Sequence, residues 1–369
     1  MTRDAARPAV EPLRSAPARG VAADGTPAFG GFAGIVDSTG LAALAQEFQL
    51  GRRGPLGVAQ RALRHKRWVY VFVATDELCV VAGMANGAVT GSGFLMATDL
   101  TTGEVLVDSS RMGALAAVND CPGAGLRAGY RLPGTRYALT RDDDEARFTA
   151  SLGAALLDLP GRSRPWVEVD LTLREHGTGI TAVSEVRHGR ESTVSVTAKT
   201  CGMAVTGQLR VHAADGPVTR TLDGGLGGYD YTNGWLPRHT AWRWAYGVGR
   251  LASGEVLGFN LTEGFSGVGE RSREAAAWVD GQPFPVDPRL HFRFDRADVL
   301  APWRVTTEDG SVRLRFDPLA AHRESVDLRV LRSRFVQPMG HFSGELDVAG
   351  RTYVIDRLPG VVEDQDTLW

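Results

Sequence analysis

An all-β chain is predicted, because alternation of apolar and polar residues with period two recurs from residue 65 onward. Asp-Gly and Ala-Gly pairs punctuate those runs. Glycine is also abundant, 45 of 369 residues, as tight turns between many short strands require. The expected architecture is two antiparallel β-barrel or sandwich halves, preceded by one or two short helices.

The chain begins with a stretch rich in Ala, Pro, Arg and Gly, and residues 1–30 are expected to form a disordered tail. Ser38-Thr39 can cap a helix over Leu41–Phe48, whose apolar positions Leu41, Leu44, Ala45 and Phe48 recur at helical spacing before Gly51. A second short helix is expected over Val58–His65. The run RWVYVFVAT (67–75) is apolar on both faces and reads as a strand buried twice. In WVEVDLTLR (166–174) Val167, Val169, Leu171 and Leu173 share one face, with Glu168, Asp170, Thr172 and Arg174 on the other. Hairpins are expected at Asp215-Gly216, Leu251–Gly254, Asp309-Gly310 and Ala349-Gly350. The Gly-rich GGLGGYDYTNG (224–234) reads as the junction between a first domain, 31–223, and a second, 224–369.

Composition narrows function. A net charge of −2 gives no electrostatic pull toward nucleic acid or an anionic membrane. The longest uncharged stretch, Val80–Thr98, is too polar and turn-prone for an integral membrane segment. Cys79, Cys121 and Cys201 form no CxxC pair, which suits a reducing compartment, and a cytoplasmic location is expected. No zinc-binding HExxH, Walker, GxGxxG or GxSxG pattern is present, so no cofactor or metal is expected.

Residues 228–246, GYDYTNGWLPRHTAWRWAY, concentrate aromatic and polar groups. On a strand over 240–246, Trp242, Trp244 and Tyr246 share one face and either line a ligand cavity or fill the core. Asp230, between Tyr229 and Tyr231, is the candidate catalytic acid, since a carboxyl in an apolar cavity stays protonated near neutrality. The plainer alternative is a turn aspartate bonded to its own backbone. Asn233 and His239 are candidates to orient that acid or a water, or are simply a capping Asn and a surface His. Asn260 and Glu263, on a strand expected to pair with 240–246, approach the same place, or Glu263 is simply solvated at the strand end. Lys199 is singled out because the chain has only one other lysine, Lys66, among 41 basic residues. Glu363-Asp364 and Trp369 read as a terminus that closes a barrel or tucks the tail.

Several stretches together resemble a bacterial family described as domain of unknown function 2804. They are RHKRWVYVFV (64–73), VTAKTCGMAVTGQL (196–209), GGYDYTNGWLPRHTAWRWA (227–245), GFNLTEGF (258–265), AWVDG (277–281), APWRV (301–305), LRFDP (314–318), QPMGHFSGEL (337–346) and LPGVVED (358–364). The family is similar, more distantly, to carotenoid hydratases and related two-domain lipocalin-like proteins. That resemblance implies two lipocalin-like β domains and a cavity for an apolar, often isoprenoid, ligand, with Asp230, Asn233, Trp242 and Trp244 at the matching positions. Here Tyr231-Thr232 follow the acid and Arg243 separates the tryptophans.

The function expected from residues and resemblance together is a cofactor-independent hydratase or cyclase acting on an apolar unsaturated small molecule, isoprenoid or polyketide-like. Asp230 would donate the proton while Tyr229, Tyr231, Trp242, Trp244, Tyr246, Asn260, Glu263 and Lys199 would contact substrate. The alternatives are a carrier that binds such a ligand unchanged, and a structural protein with filled barrels.

Overall fold

A computed structural model describes residues 12–49, 54–87, 90–153, 166–188, 191–213, 216–264, 274–286, 289–327 and 332–368. Within them the chain is all-β, with two large antiparallel sheets of sixteen and nine strands. Strands up to Gly225–Trp235 belong to the first, and those from His239–Arg250 onward to the second.

Gly225–Trp235, expected as a junction, is the central strand of the first half. One edge pairs in full with His65–Ala74, from Trp235↔His65 to Leu226↔Ala74. The other edge is shared between Glu191–Lys199 and Met203–Ala213. Its glycines serve this crowding rather than a turn. A Cβ on Gly227 would lie 2.4 Å from the Phe72 carbonyl oxygen, and one on Gly228 2.2 Å from that of Thr200. The change of sheet falls at residues 236–238, directly after this strand.

His65–Ala74 continues into the meander Leu78–Asn86, Gly91–Asp99 and Val105–Gly113. Its two faces serve two cores, as its apolar sequence on both sides requires. Val69, Val71 and Val73 enter the first barrel with Leu95, Tyr137, Phe148 and Leu171. Tyr70 and Phe72 face the second half, packing with Met96, Trp244, Tyr246, Trp278, Met339 and Val361. The second half has its own filled interior, with Phe259, Trp303, Phe316 and Phe342 among its fully buried side chains. Ala349 and Gly350, at φ 50° and 79°, make the expected tight turn between the last two strands. The hairpin of Met203–Ala213 with Gly216–Thr221 is present as well, and its Asp215 lies outside the described residues.

The N-terminal expectations need correction. A helix spans Pro55–Arg64, but 41–48 forms two 3₁₀ turns, Leu41–Ala43 and Gln46–Phe48, broken by extended residues. The Ser38 hydroxyl donates to Asp120 Oδ2 (2.7 Å) and that of Thr39 to the same carboxylate, so neither caps a helix. Leu41 and Leu44 are instead drawn onto Val183, Val194 and Val196. Residues 12–30, expected in a disordered tail, are in place: Arg14–Ser15 pairs in parallel with Phe32–Ala33, and Val21 is fully buried. Residues 1–11 lie outside the described residues. Among the described residues no helix is long and apolar enough to cross a membrane.

Candidate active site between the two halves

A cavity lies between the two halves, lined by residues from both sheets. Its volume is about 670 Å³, within the range of small-molecule sites. Strand alternation decides what reaches it. On 225–235 the even positions Asp230 and Thr232 face the cavity, and from 239–250 Trp242 and Trp244 do the same. The 65–74 strand contributes Lys66, Trp68 and Tyr70. Glu363 and Gln365 arrive from Arg351–Leu368, which pairs with 239–250 so that Trp244 lies opposite Glu363.

The walls are aromatic. Trp68, from the first half, stacks on Trp242, from the second, with centroids 5.9 Å apart and planes within 10°. Tyr70 meets Trp244 edge-on at 5.1 Å. The Trp244 indole N–H donates to Asn260 Oδ1 (2.6 Å), and the Asn260 amide donates to the Glu274 carbonyl (2.7 Å), which fixes the ring.

Two charged clusters sit among these rings. In the first, the Lys199 ammonium contacts Asp230 Oδ2 at 2.8 Å and Glu274 Oε2 at 3.1 Å, and lies 5.4 Å from the Trp244 ring centre. Burial works against the Lys199 charge, but the two carboxylates outweigh it and raise the ammonium above its ordinary value. Burial also pushes the Glu274 carboxyl up, against the pull of Lys199. In the second cluster, Glu363 accepts from Trp242 Nε1 (2.6 Å) and from Gln337 Nε2 (2.9 Å). Tyr70 donates to Gln337 Oε1 at 3.2 Å, extending the chain. Burial raises Glu363 to about 7; the two N–H donors oppose the rise, and the nearby Asp230 charge adds to it. Near neutrality Glu363 is thus partly protonated, inside a cavity, against aromatic faces.

The expected site is reassembled by this geometry. Asp230, Lys199, Trp242 and Trp244 do come together. Asp230, expected as the proton donor, places its Oδ2 2.8 Å from the buried Lys199 ammonium. Tyr229, Tyr231 and Asn233 point to the opposite side of their strand. Tyr229 donates to the Pro122 carbonyl (2.7 Å) and Tyr231 to that of Asn119 (2.8 Å). Asn233 bonds His65 (2.6 Å), Asp120 and the Tyr231 hydroxyl. Tyr246 packs beneath Trp244 and donates to the Thr200 carbonyl. His239 is exposed and pairs with Asp366 at 2.9 Å. Glu263 pairs with Arg243 at 3.6 Å, away from the cavity. Asn260 acts one shell back, through Trp244 and Glu274.

Sequence reading missed Trp68, Tyr70, Glu274, Gln337 and Glu363. Alternation within RWVYVFV separates Trp68 and Tyr70 from Val69 and Val71, so their shared face was readable. Gln337 and Glu363 carry no such signal, since only the pairing of remote strands brings them to Trp242. Trp369, expected to help close a barrel, lies outside the described residues.

Comparison with known proteins adds a family. A family model described as a domain of unknown function (DUF2804) matches residues 46–369. No curated protein matches the chain. Among solved structures the chain is similar to CghA with Sch210972, at 13% identity over 83% of this chain and 88% of that one, TM-score 0.49. It is also similar to kievitone hydratase from Nectria haematococca, at 12% identity over 92% and 98% of the two chains, TM-score 0.43.

Proposed function

The chain belongs to the DUF2804 family, and from its cavity we propose that it is a cofactor-independent enzyme performing acid-assisted hydration or cyclisation of an apolar, unsaturated small molecule. The observation that carries this reading is Glu363, a buried carboxyl at about 7, lining a cavity walled by Trp68, Tyr70, Trp242 and Trp244. A general acid works best when its pKa lies near the operating pH.

In the proposed reaction the π pair of a substrate double bond takes the Glu363 proton, leaving a cation on the adjacent carbon. The faces of Trp242 and Trp244 stabilise that cation, and so does the excess negative charge of Asp230 and Glu274 over Lys199. In hydration, water oxygen bonds to the cation and the surplus proton returns to the Glu363 carboxylate. In cyclisation, a second double bond or a hydroxyl of the substrate attacks the cation, and a proton lost from the product restores Glu363. Asp230 is thus a fixed counter-charge rather than the donor.

The test is to incubate the protein with a panel of polyene and isoprenoid alcohols and acids in ¹⁸O-water and follow product mass. Hydration adds one labelled water, and cyclisation changes retention at constant mass. Glu363→Gln keeps the shape and removes the transferable proton, so turnover is expected to fall about 10²–10⁴-fold with binding retained. Full activity in Glu363→Gln would refute the acid role, and binding without product across the panel in both proteins would point to a carrier.

A further inference from the structure

Three side chains stand in one row across the second sheet. Trp244 pairs with Thr262 of Val256–Glu263 on one side and with Glu363 of Arg351–Leu368 on the other. Residues directly opposite in a ladder point to the same face, and all three line the cavity. Thr262 and Glu363 are therefore two strand spacings apart, about 10 Å, with the Trp244 ring between them. The acid occupies one end of the row and a threonine hydroxyl the other. Thr262 is only 3% exposed, and its Oγ1 has no hydrogen-bond partner among the described residues.

A second polar atom at this end of the cavity is in the same condition. Asp230 Oδ2 is held by Lys199, but its Oδ1 is buried and receives no donor among the described residues. The Lys199 ammonium lies 5.4 Å from the Trp244 ring centre, which sets Asp230 on the Trp244 side. Glu363, by contrast, has both oxygens engaged, by Trp242 Nε1 and Gln337 Nε2. Of the buried side-chain atoms without a partner among the described residues, only Asp230 Oδ1 and Thr262 Oγ1 belong to the cavity wall. Leaving a buried polar atom unpaired is costly, and a ligand group that pairs both recovers that cost. Oδ1 offers an acceptor, while the Thr262 hydroxyl can donate. An alcohol satisfies both at once. An ether or ketone has no proton for Asp230, and an ammonium would meet the like charge of Lys199.

We propose that the substrate is an unsaturated alcohol whose hydroxyl donates to Asp230 Oδ1 and accepts from Thr262 Oγ1, with its hydrocarbon chain laid across Trp244 toward Glu363. This names the substrate class for the reaction proposed above, and it rests on that reading only for the fate of the double bond. A hydroxyl fixed at the Thr262 end sets the double bond beside Glu363 several carbons from the oxygen. The alkene that is protonated is thus a remote one, not the allylic one.

The experiment titrates the full chain with all-trans-retinol, a fluorescent polyene alcohol, and with its methyl ether, which keeps the acceptor oxygen and loses the donor. Retinol is expected to bind about tenfold tighter, because a site built to hydrogen-bond a hydroxyl is left unpaired by an analogue that lacks it. In Asp230→Asn the Lys199 ammonium claims the amide oxygen, and the amide N–H groups turned to the cavity cannot accept. The preference for retinol is then expected to vanish. Thr262→Val keeps the shape and removes the hydroxyl, so both probes are expected to weaken about fivefold with the preference retained. Should Asp230→Asn not fold, Thr262→Val decides alone. Equal affinities in the parent protein would mean that water alone completes the two atoms. That result, a preference surviving Asp230→Asn, unchanged binding in Thr262→Val, or no binding of either probe would overturn the proposal. No turnover is read, so loss of the alcohol preference would leave the Glu363 mechanism standing, and failure of that mechanism would leave the alcohol site standing.

Discussion

The Trp242 indole N–H donates to Glu363 Oε1 at 2.6 Å, so the ring that walls the cavity also sets the acidity of the carboxyl beside it. Trp242 lies opposite Gln365 in the ladder, and its side chain reaches diagonally to Glu363, whose own register partner is Trp244. The bond favours the charged form of Glu363 and partly offsets burial.

Trp242→Phe keeps an aromatic face but removes that donor. Losing a hydrogen bond to a charged group corresponds to about one pH unit or more. Glu363 is therefore expected to titrate higher in the variant. Activity that depends on the protonated acid declines as pH rises through about 7 in the parent, and in Trp242→Phe the decline moves to higher pH. A pH–rate profile checks this, and an unchanged midpoint would detach Trp242 from the acid.

The buried cluster of Lys199, Asp230 and Glu274 predicts an asymmetric response to substitution. Lys199→Met leaves two carboxylates facing each other without a cation, and is expected to cost about 3–5 kcal/mol in denaturant unfolding. Glu274→Gln leaves a one-to-one pair of Lys199 with Asp230, and is expected to change stability by no more than about 1 kcal/mol. Similar losses from both substitutions would contradict the charge count at this site.

How much of this was readable in the residues depends on distance along the chain. Alternation in VEVDLTLR and the doubly apolar RWVYVFV identified the strands, because both signals are local. Trp242 and Trp244 were placed together for the same reason. The segment 224–234 was misread because its glycines suggest a turn, whereas they admit the close backbones of neighbouring strands at Phe72 and Thr200. Once 225–235 is a strand, alternation alone sends Asp230 to the cavity and Tyr229, Tyr231 and Asn233 to the barrel. Glu363 was not legible, since it meets Trp242 only when the last strand pairs with 239–250, more than a hundred residues earlier.

The N-terminal segment gives a prediction opposite to its composition. Polar and Pro-rich, it reads as dispensable, yet Val21 is fully buried and Phe32 nearly so, in a cluster with Val183, Val194 and Val196. Phe32→Ala is expected to cost about 3–5 kcal/mol. Deleting residues 1–30 is expected to lower the thermal midpoint by several degrees, because it removes Val21 and the pairing of Arg14–Ser15 with Phe32–Ala33. A midpoint unchanged by the deletion would show that these contacts contribute nothing to stability.

The most direct test of the central claim is the ionisation of Glu363 itself. Infrared difference spectra between the parent and Glu363→Gln, recorded across pH, isolate the C=O stretch of one protonated carboxyl. The band is predicted to persist well above the ordinary glutamate range and to vanish with a midpoint at about 7. A midpoint near the ordinary value of 4.5 would mean that Glu363 is fully ionised at neutral pH and has no proton to donate, contradicting the acid mechanism.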